Sequence, residues 1–132
     1  MTSSTILLVD DDIAVLAALS KLLGHFGYVV AGASNPEAAM NYVTGSRKCF
    51  DLIITDLAMP GIGGVEFMAM VKKTFPNVPV IVMTGHTEQC TNEEAMRCGA
   101  SAYLAKPFET PHFISTIERA LHPARRAATT TF

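Results

Sequence analysis

Four apolar runs of this chain lead into residues able to do chemistry. Ile6-Leu7-Leu8-Val9 meets Asp10-Asp11-Asp12, Ile53-Ile54-Thr55 meets Asp56, Val80-Ile81-Val82-Met83 meets Thr84, and Ala102-Tyr103-Leu104 runs on to Lys106. Carboxylates brought to one place repel one another and stay ionised only when a cation shares them. Oxygen ligands without a paired His or Cys select a hard ion. Mg²⁺ is favoured over Ca²⁺, which takes more ligands than these segments provide. On this reading Asp11 and Asp56 hold the ion directly, and Asp10 orients a water bound to it. A carboxylate in that setting can attack a phosphoryl group to give an acyl phosphate, with charge building on three transferring oxygens. The ion, the Lys106 ammonium and the Thr84 hydroxyl would each serve one of those oxygens. Asp12 stands apart, because capping the helix that follows is its expected work.

These residues can meet only if their segments lie side by side. The continuous apolar runs read as strands buried on both faces of a parallel sheet. Strands are expected at about residues 6–9, 28–33, 52–55, 80–83 and 102–104. A helix over 13–23 carries Val15, Leu19, Leu22 and Phe26 as one stripe widened by Leu16 and Leu23, with Gly24 and Gly27 where it stops. Before the second helix, which runs to about Thr44, either Asn35 caps with Pro36 in the first turn, or Ser34 and Glu37 form a capping box. A third helix over 65–75 turns Val65, Met68, Val71 and Phe75 inward, and a short fourth is expected over 88–98, closed by Gly99. Thr110-Pro111 should cap the last helix, whose apolar face is Phe113, Ile114, Ile117, Ala120 and Leu121. Strand and helix alternate five times, so right-handed crossovers gather the strands' carboxyl ends along one rim, where such sheets bind ligands.

Bulk composition narrows the classes. At 132 residues, 49% hydrophobic, the chain suits one domain with a sizeable core. Its net charge of −2 provides no global attraction for nucleic acid or anionic membrane. Cys49, Cys90 and Cys98 are odd in number and lack CxxC spacing, as in reduced thiols of a cytoplasmic protein. The start shows no basic region before its apolar run, and that run is too short for a signal or membrane segment.

The residues resemble the receiver domain of two-component response regulators over about residues 5–121. The matching motifs are Leu8-Val9-Asp10-Asp11-Asp12, Thr55-Asp56-Leu57-Ala58-Met59-Pro60-Gly61, Val82-Met83-Thr84-Gly85, Gly99-Ala100 and Lys106-Pro107-Phe108. Each is weak alone, but the set in this order is specific. The resemblance implies an α/β, flavodoxin-like (CheY-like) doubly wound fold of five parallel strands in the order 2-1-3-4-5, with five helices. It implies Asp56 as phosphoacceptor and a Mg²⁺ site, open to Mn²⁺, from Asp10, Asp11, Asp56 and the Ala58 carbonyl. Thr84 and Lys106 would be the phosphate partners, and the donor a histidine kinase or histidine phosphotransfer protein. In the implied switch Thr84 moves toward the phosphate and Tyr103 rotates into the vacated space, reshaping the surface of residues 88–98, 102–104 and the last helix. Ala58 and His86 occupy positions that vary in the family and tune how long the phosphate lasts, and Gly63 replaces a residue that is often polar.

Two other classes compete. A haloacid-dehalogenase-type phosphohydrolase would use Asp10-x-Asp12, but no acidic pair follows Lys106 and there is no room for a cap domain. A passive flavin- or nucleotide-binding module would need glycines and amides where the first turn is acidic. The receiver is expected over residues 1–122, with 123–132 a frayed tail in which Arg125-Arg126 is solvated and makes no nucleic-acid contact. The output would pass to a downstream protein, with the front of a longer regulator bearing a fused output domain as the alternative.

Overall fold

A computed structural model describes residues 4–45, 50–56, 64–84, 99–106 and 108–122. Five parallel strands, β1 (Thr5–Val9), β2 (Val29–Ala33), β3 (Leu52–Asp56), β4 (Val80–Thr84) and β5 (Ala102–Ala105), form one sheet in the order β2-β1-β3-β4-β5. Among the described residues four helices accompany them: α1 (Ile13–His25), α2 (Pro36–Gly45), α3 (Gly64–Thr74) and α4 (Thr110–Leu121). The helix expected over 88–98 lies outside the described residues, as do Ala58, Gly63, His86, the three cysteines and the tail.

Alternation along each strand divides the core into two layers. Ile6, Leu8, Leu52, Ile54, Ile81 and Met83 meet α1 and α4, through Leu23, Phe113 and Ile117. Leu7, Val9, Ile53, Val80 and Val82 meet α2 and α3 on the other face, through Ala39, Phe67, Met68 and Val71. That two-sided demand explains why β1 and β3 read as unbroken apolar runs. β2, at the sheet edge, is covered less completely, and its Val29 is exposed.

Local signals place most of the boundaries. Asp12 caps α1 as expected, accepting the amide hydrogens of Ala14 at 3.0 Å and Val15 at 3.2 Å. The helix continues through Gly24 to His25 and is capped at Phe26; Gly27 comes next, with a φ of 91° that suits a residue without a side chain. Of the two caps open to α2, Asn35 is the one used: its Oδ1 accepts from the Ala38 amide at 2.7 Å. Phe67, not foreseen on the inward face of α3, is fully buried, so that face is wider than the expected stripe. At α4 the expectation is corrected. Thr110 is the first helical residue, and the N-cap position belongs to Glu109, which makes no side-chain cap. The entry is held by a hydrophobic staple instead: Phe108, just before the cap, stacks on Phe113 with ring centroids 4.9 Å apart and planes at 20°.

Candidate functional site

The sheet register sets the site. Val9 pairs with Thr55, and Asp56 pairs with Met83, so Asp10 and Asp56 leave neighbouring strands at the same level. Thr84 pairs with Ala105 one level higher, and Lys106 follows directly. The long lysine side chain reaches back, and its ammonium donates to Asp56 Oδ2 at 2.8 Å and Asp10 Oδ2 at 2.9 Å. Asp11 joins them: one oxygen from each of Asp10, Asp11 and Asp56 lies within 4.8 Å of the others. Residues 96 and 50 positions apart in the chain thus share one rim, as the strand ends implied.

Burial gives these groups their character. Asp10 is 0% and Asp56 4% exposed, while Asp11 opens to solvent. Asp10 has both oxygens engaged, Oδ1 accepting from the Asp12 amide at 2.9 Å and Oδ2 from Lys106. Burial pushes the Asp10 carboxyl above its ordinary range, and the Asp12 amide and Lys106 only partly offset it. For Lys106 burial works downward, but its hydrogen bonds to Asp56 and Asp10 prevail and hold the ammonium above its ordinary value. The two shifts favour opposite charge states of one contact. The contact is an ionised pair, because an ammonium donating to two carboxylates below 3 Å is a charge-assisted contact.

Three carboxylates against one ammonium leave the rim about two negative charges in excess when all are ionised. An all-oxygen donor set with that excess fits a hard divalent cation. Asp12, turned to its capping bonds, is drawn away from the acid role that a dehalogenase-type mechanism would give it. Thr84 closes β4 at the rim, and its side chain lies outside the described part of the structure. Tyr103 is half-buried in β5 and packs on the α2–α3 layer. The staple at the start of α4 was not foreseen. A Phe five residues ahead of another, across a helix start, was the available signal for the staple.

A doubly wound sheet with an acid cluster and a lysine at the carboxyl ends of its strands is the arrangement that the resemblance to receiver domains implied. The chain belongs to that family: the model for the response regulator receiver domain matches residues 6–118. It is 35% identical over 92% of its length to the DNA-binding transcriptional regulator NtrC of Azospirillum brasilense, and 33% identical over 96% to the transcriptional regulatory protein FixJ of Bradyrhizobium diazoefficiens. It spans 25% of the former and 61% of the latter. Among solved structures, a receiver domain protein from Clostridium thermocellum is similar with a TM-score of 0.85 and 30% identity, over 94% of this chain and 98% of that one. No helix among the described residues is long and apolar enough to cross a membrane.

Proposed function

We propose that Asp56 accepts a phosphoryl group from a phosphohistidine on a sensor histidine kinase or histidine phosphotransfer protein. The observation that carries this reading is the Lys106 ammonium held between Asp56 at 2.8 Å and Asp10 at 2.9 Å, in a chain of the receiver family. In the transfer an Asp56 oxygen bonds to phosphorus as the phosphorus–nitrogen bond of the donor breaks. The departing imidazole keeps the electron pair and takes up a proton. Lys106 already touches the carboxylate under attack, so its charge is in place for the oxygens that become more negative, with little rearrangement.

Asp11 and Asp56 are the residues suited to hold Mg²⁺, or Mn²⁺ in its place, with the Ala58 carbonyl as the family resemblance implies. Asp10 has both oxygens in hydrogen bonds and would act on the ion through a bound water. When bound, the ion supplies positive charge to the transferring phosphoryl oxygens. Thr84 would donate to the acyl phosphate, Tyr103 would turn with it, and Ala58 and His86 would set how fast the phosphate is lost. The signal would leave through residues 88–98, β5 and α4, to a separate protein or to an output domain fused beyond a receiver of residues 1–122 and its tail. This domain would act in the cytoplasm and would itself neither contact nucleic acid nor turn over a substrate.

The test is intact mass after incubation with acetyl phosphate. One phosphate adduct should form with Mg²⁺, and none with EDTA or in Asp56→Asn. An adduct that persists in Asp56→Asn would place the acceptor elsewhere.

A further inference from the structure

Lys106 reaches its two acids from a segment with little of its own to hold it. β5 ends the sheet, paired with β4, and its last residue, Ala105, is exposed. Leu104, fully buried, is the last residue of β5 that packing fixes. The next described apolar residue packed on the core is Phe108, whose ring centroid lies 4.9 Å from that of Phe113 with planes at 20°. Phe113 is 0% exposed and sits in the first turn of α4, where its amide donates to the Glu109 carbonyl at 3.0 Å. The N-cap residue adds no side-chain bond, so the stack fixes how the chain enters the helix.

We propose that Phe108 is a positioning residue for phosphoryl transfer: its stack on Phe113 holds the segment from which Lys106 spans Asp10 and Asp56. The inference rests on Asp56 as phosphoacceptor. Only Pro107 separates Lys106 from Phe108, and two residues of chain span at most about 7 Å, so a seated Phe108 confines the lysine backbone. The lysine stem is long and rich in rotamers, and its ammonium keeps contacts of 2.8 and 2.9 Å on two separate acids only from a fixed base. Leu104, Phe108 and Phe113 pack in the layer that also holds Leu8 and Ile54, each two residues before one of those acids. Cation and carboxylates are thus referenced to one close-packed layer. A displacement of about 1 Å can cost on the order of a hundredfold in rate. The proposal carries a signature of opposite signs. An ammonium freed from its place leaves the acids' charge less compensated, so a divalent ion binds the rim more tightly even as transfer slows. A general loosening of the fold would weaken both.

The test uses the full chain, with adduct formation from acetyl phosphate at saturating Mg²⁺ followed by intact mass and Mg²⁺ affinity by titration calorimetry. Phe108→Ala should slow the adduct about tenfold and tighten Mg²⁺ about threefold, with circular dichroism unchanged. Phe108→Tyr keeps the ring and should stay within about twofold of wild type on both. Should Phe108→Ala not fold, Phe108→Leu against Phe108→Tyr makes the same comparison, with about a threefold slowing expected. Ile117→Ala opens the same layer farther along α4 and should leave both readouts within about twofold of wild type. In a Lys106→Met background Phe108→Ala should change neither by more than about twofold, because the group it positions is gone. Three results would each overturn the proposal: equal slowing by the Phe108 substitution with and without Lys106, equal slowing by Ile117→Ala, or Mg²⁺ affinity unchanged or weaker when the ring is lost. With an adduct that depends on Asp56 they remove this inference alone, whereas an adduct that persists in Asp56→Asn removes the phosphoacceptor reading beneath it.

Discussion

Lys106→Met keeps most of the aliphatic stem and deletes the ammonium that touches both Asp10 and Asp56. The two carboxylates, 0% and 4% exposed, would then face one another out of water. Removing one partner of a buried ion pair costs about 3–5 kcal/mol. The Lys106 side chain is 24% exposed, so water reaches one side of the contact, and the loss should fall near the lower end, about 3 kcal/mol. The pH dependence has a definite sign. The raised Lys106 pKa means its contribution is complete below the pKa of an unfolded lysine and is lost as pH rises through the folded value. Asp10 is already raised by burial, and without the ammonium it rises further. The native variant therefore takes up a proton before the unfolded chain does, and its deficit shrinks as pH falls from neutral toward the acid range. Mg²⁺ neutralises the same carboxylates, so saturating ion should recover about 1–2 kcal/mol of the deficit. Urea denaturation of wild type and variant, at neutral and mildly acidic pH with EDTA or Mg²⁺, measures all of these. A deficit under about 0.5 kcal/mol in EDTA at neutral pH, or one indifferent to both pH and Mg²⁺, would refute the reasoning.

Mg²⁺ affinity, measured by titration calorimetry, should weaken as pH falls through the raised Asp10 pKa, at a higher pH than an ordinary aspartate would dictate, and Asp10→Asn should abolish that step. Asp12→Ala removes the acceptor of two α1 amide hydrogens and should cost about 1 kcal/mol by denaturant midpoint, while the acetyl-phosphate adduct still forms. Phe108→Ala breaks the stack on Phe113 and should cost about 2 kcal/mol, with Phe108→Leu recovering roughly half.

The sheet and its rim were legible because they rest on short-range rules. A strand buried on both faces must be apolar throughout, and the residue that ends it is conspicuous when it is Asp10, Asp56 or Lys106. Which acid touches which cation was not legible, since Lys106 reaches back across two register levels to make both contacts. The α2 start left Asn35 and Ser34 equally suitable by type. Asn35 takes the cap because Pro36 begins the helix. Gly24 and Gly27 were both expected where α1 stops; the helix keeps Gly24, because Leu23 beside it is buried against the sheet and tertiary packing outweighs the propensity cost of one glycine, and it stops just before Gly27. At α4, Thr110-Pro111 looked like a cap, but the Phe108–Phe113 stack fixes the entry, a contact between side chains that local cap chemistry does not register.

The account's central claim is that segments distant in the chain surround one divalent ion at the acceptor carboxylate. Substoichiometric Mn²⁺ added to ¹⁵N-labelled protein tests it most directly, because paramagnetic broadening falls steeply with distance from the ion. The amides of residues 10–12, 56 and 106 should broaden first and recover on adding excess Mg²⁺, while those of Val29, Asn77 and Arg119 stay sharp. Broadening centred away from Asp56, or unaffected by Mg²⁺, would contradict the account.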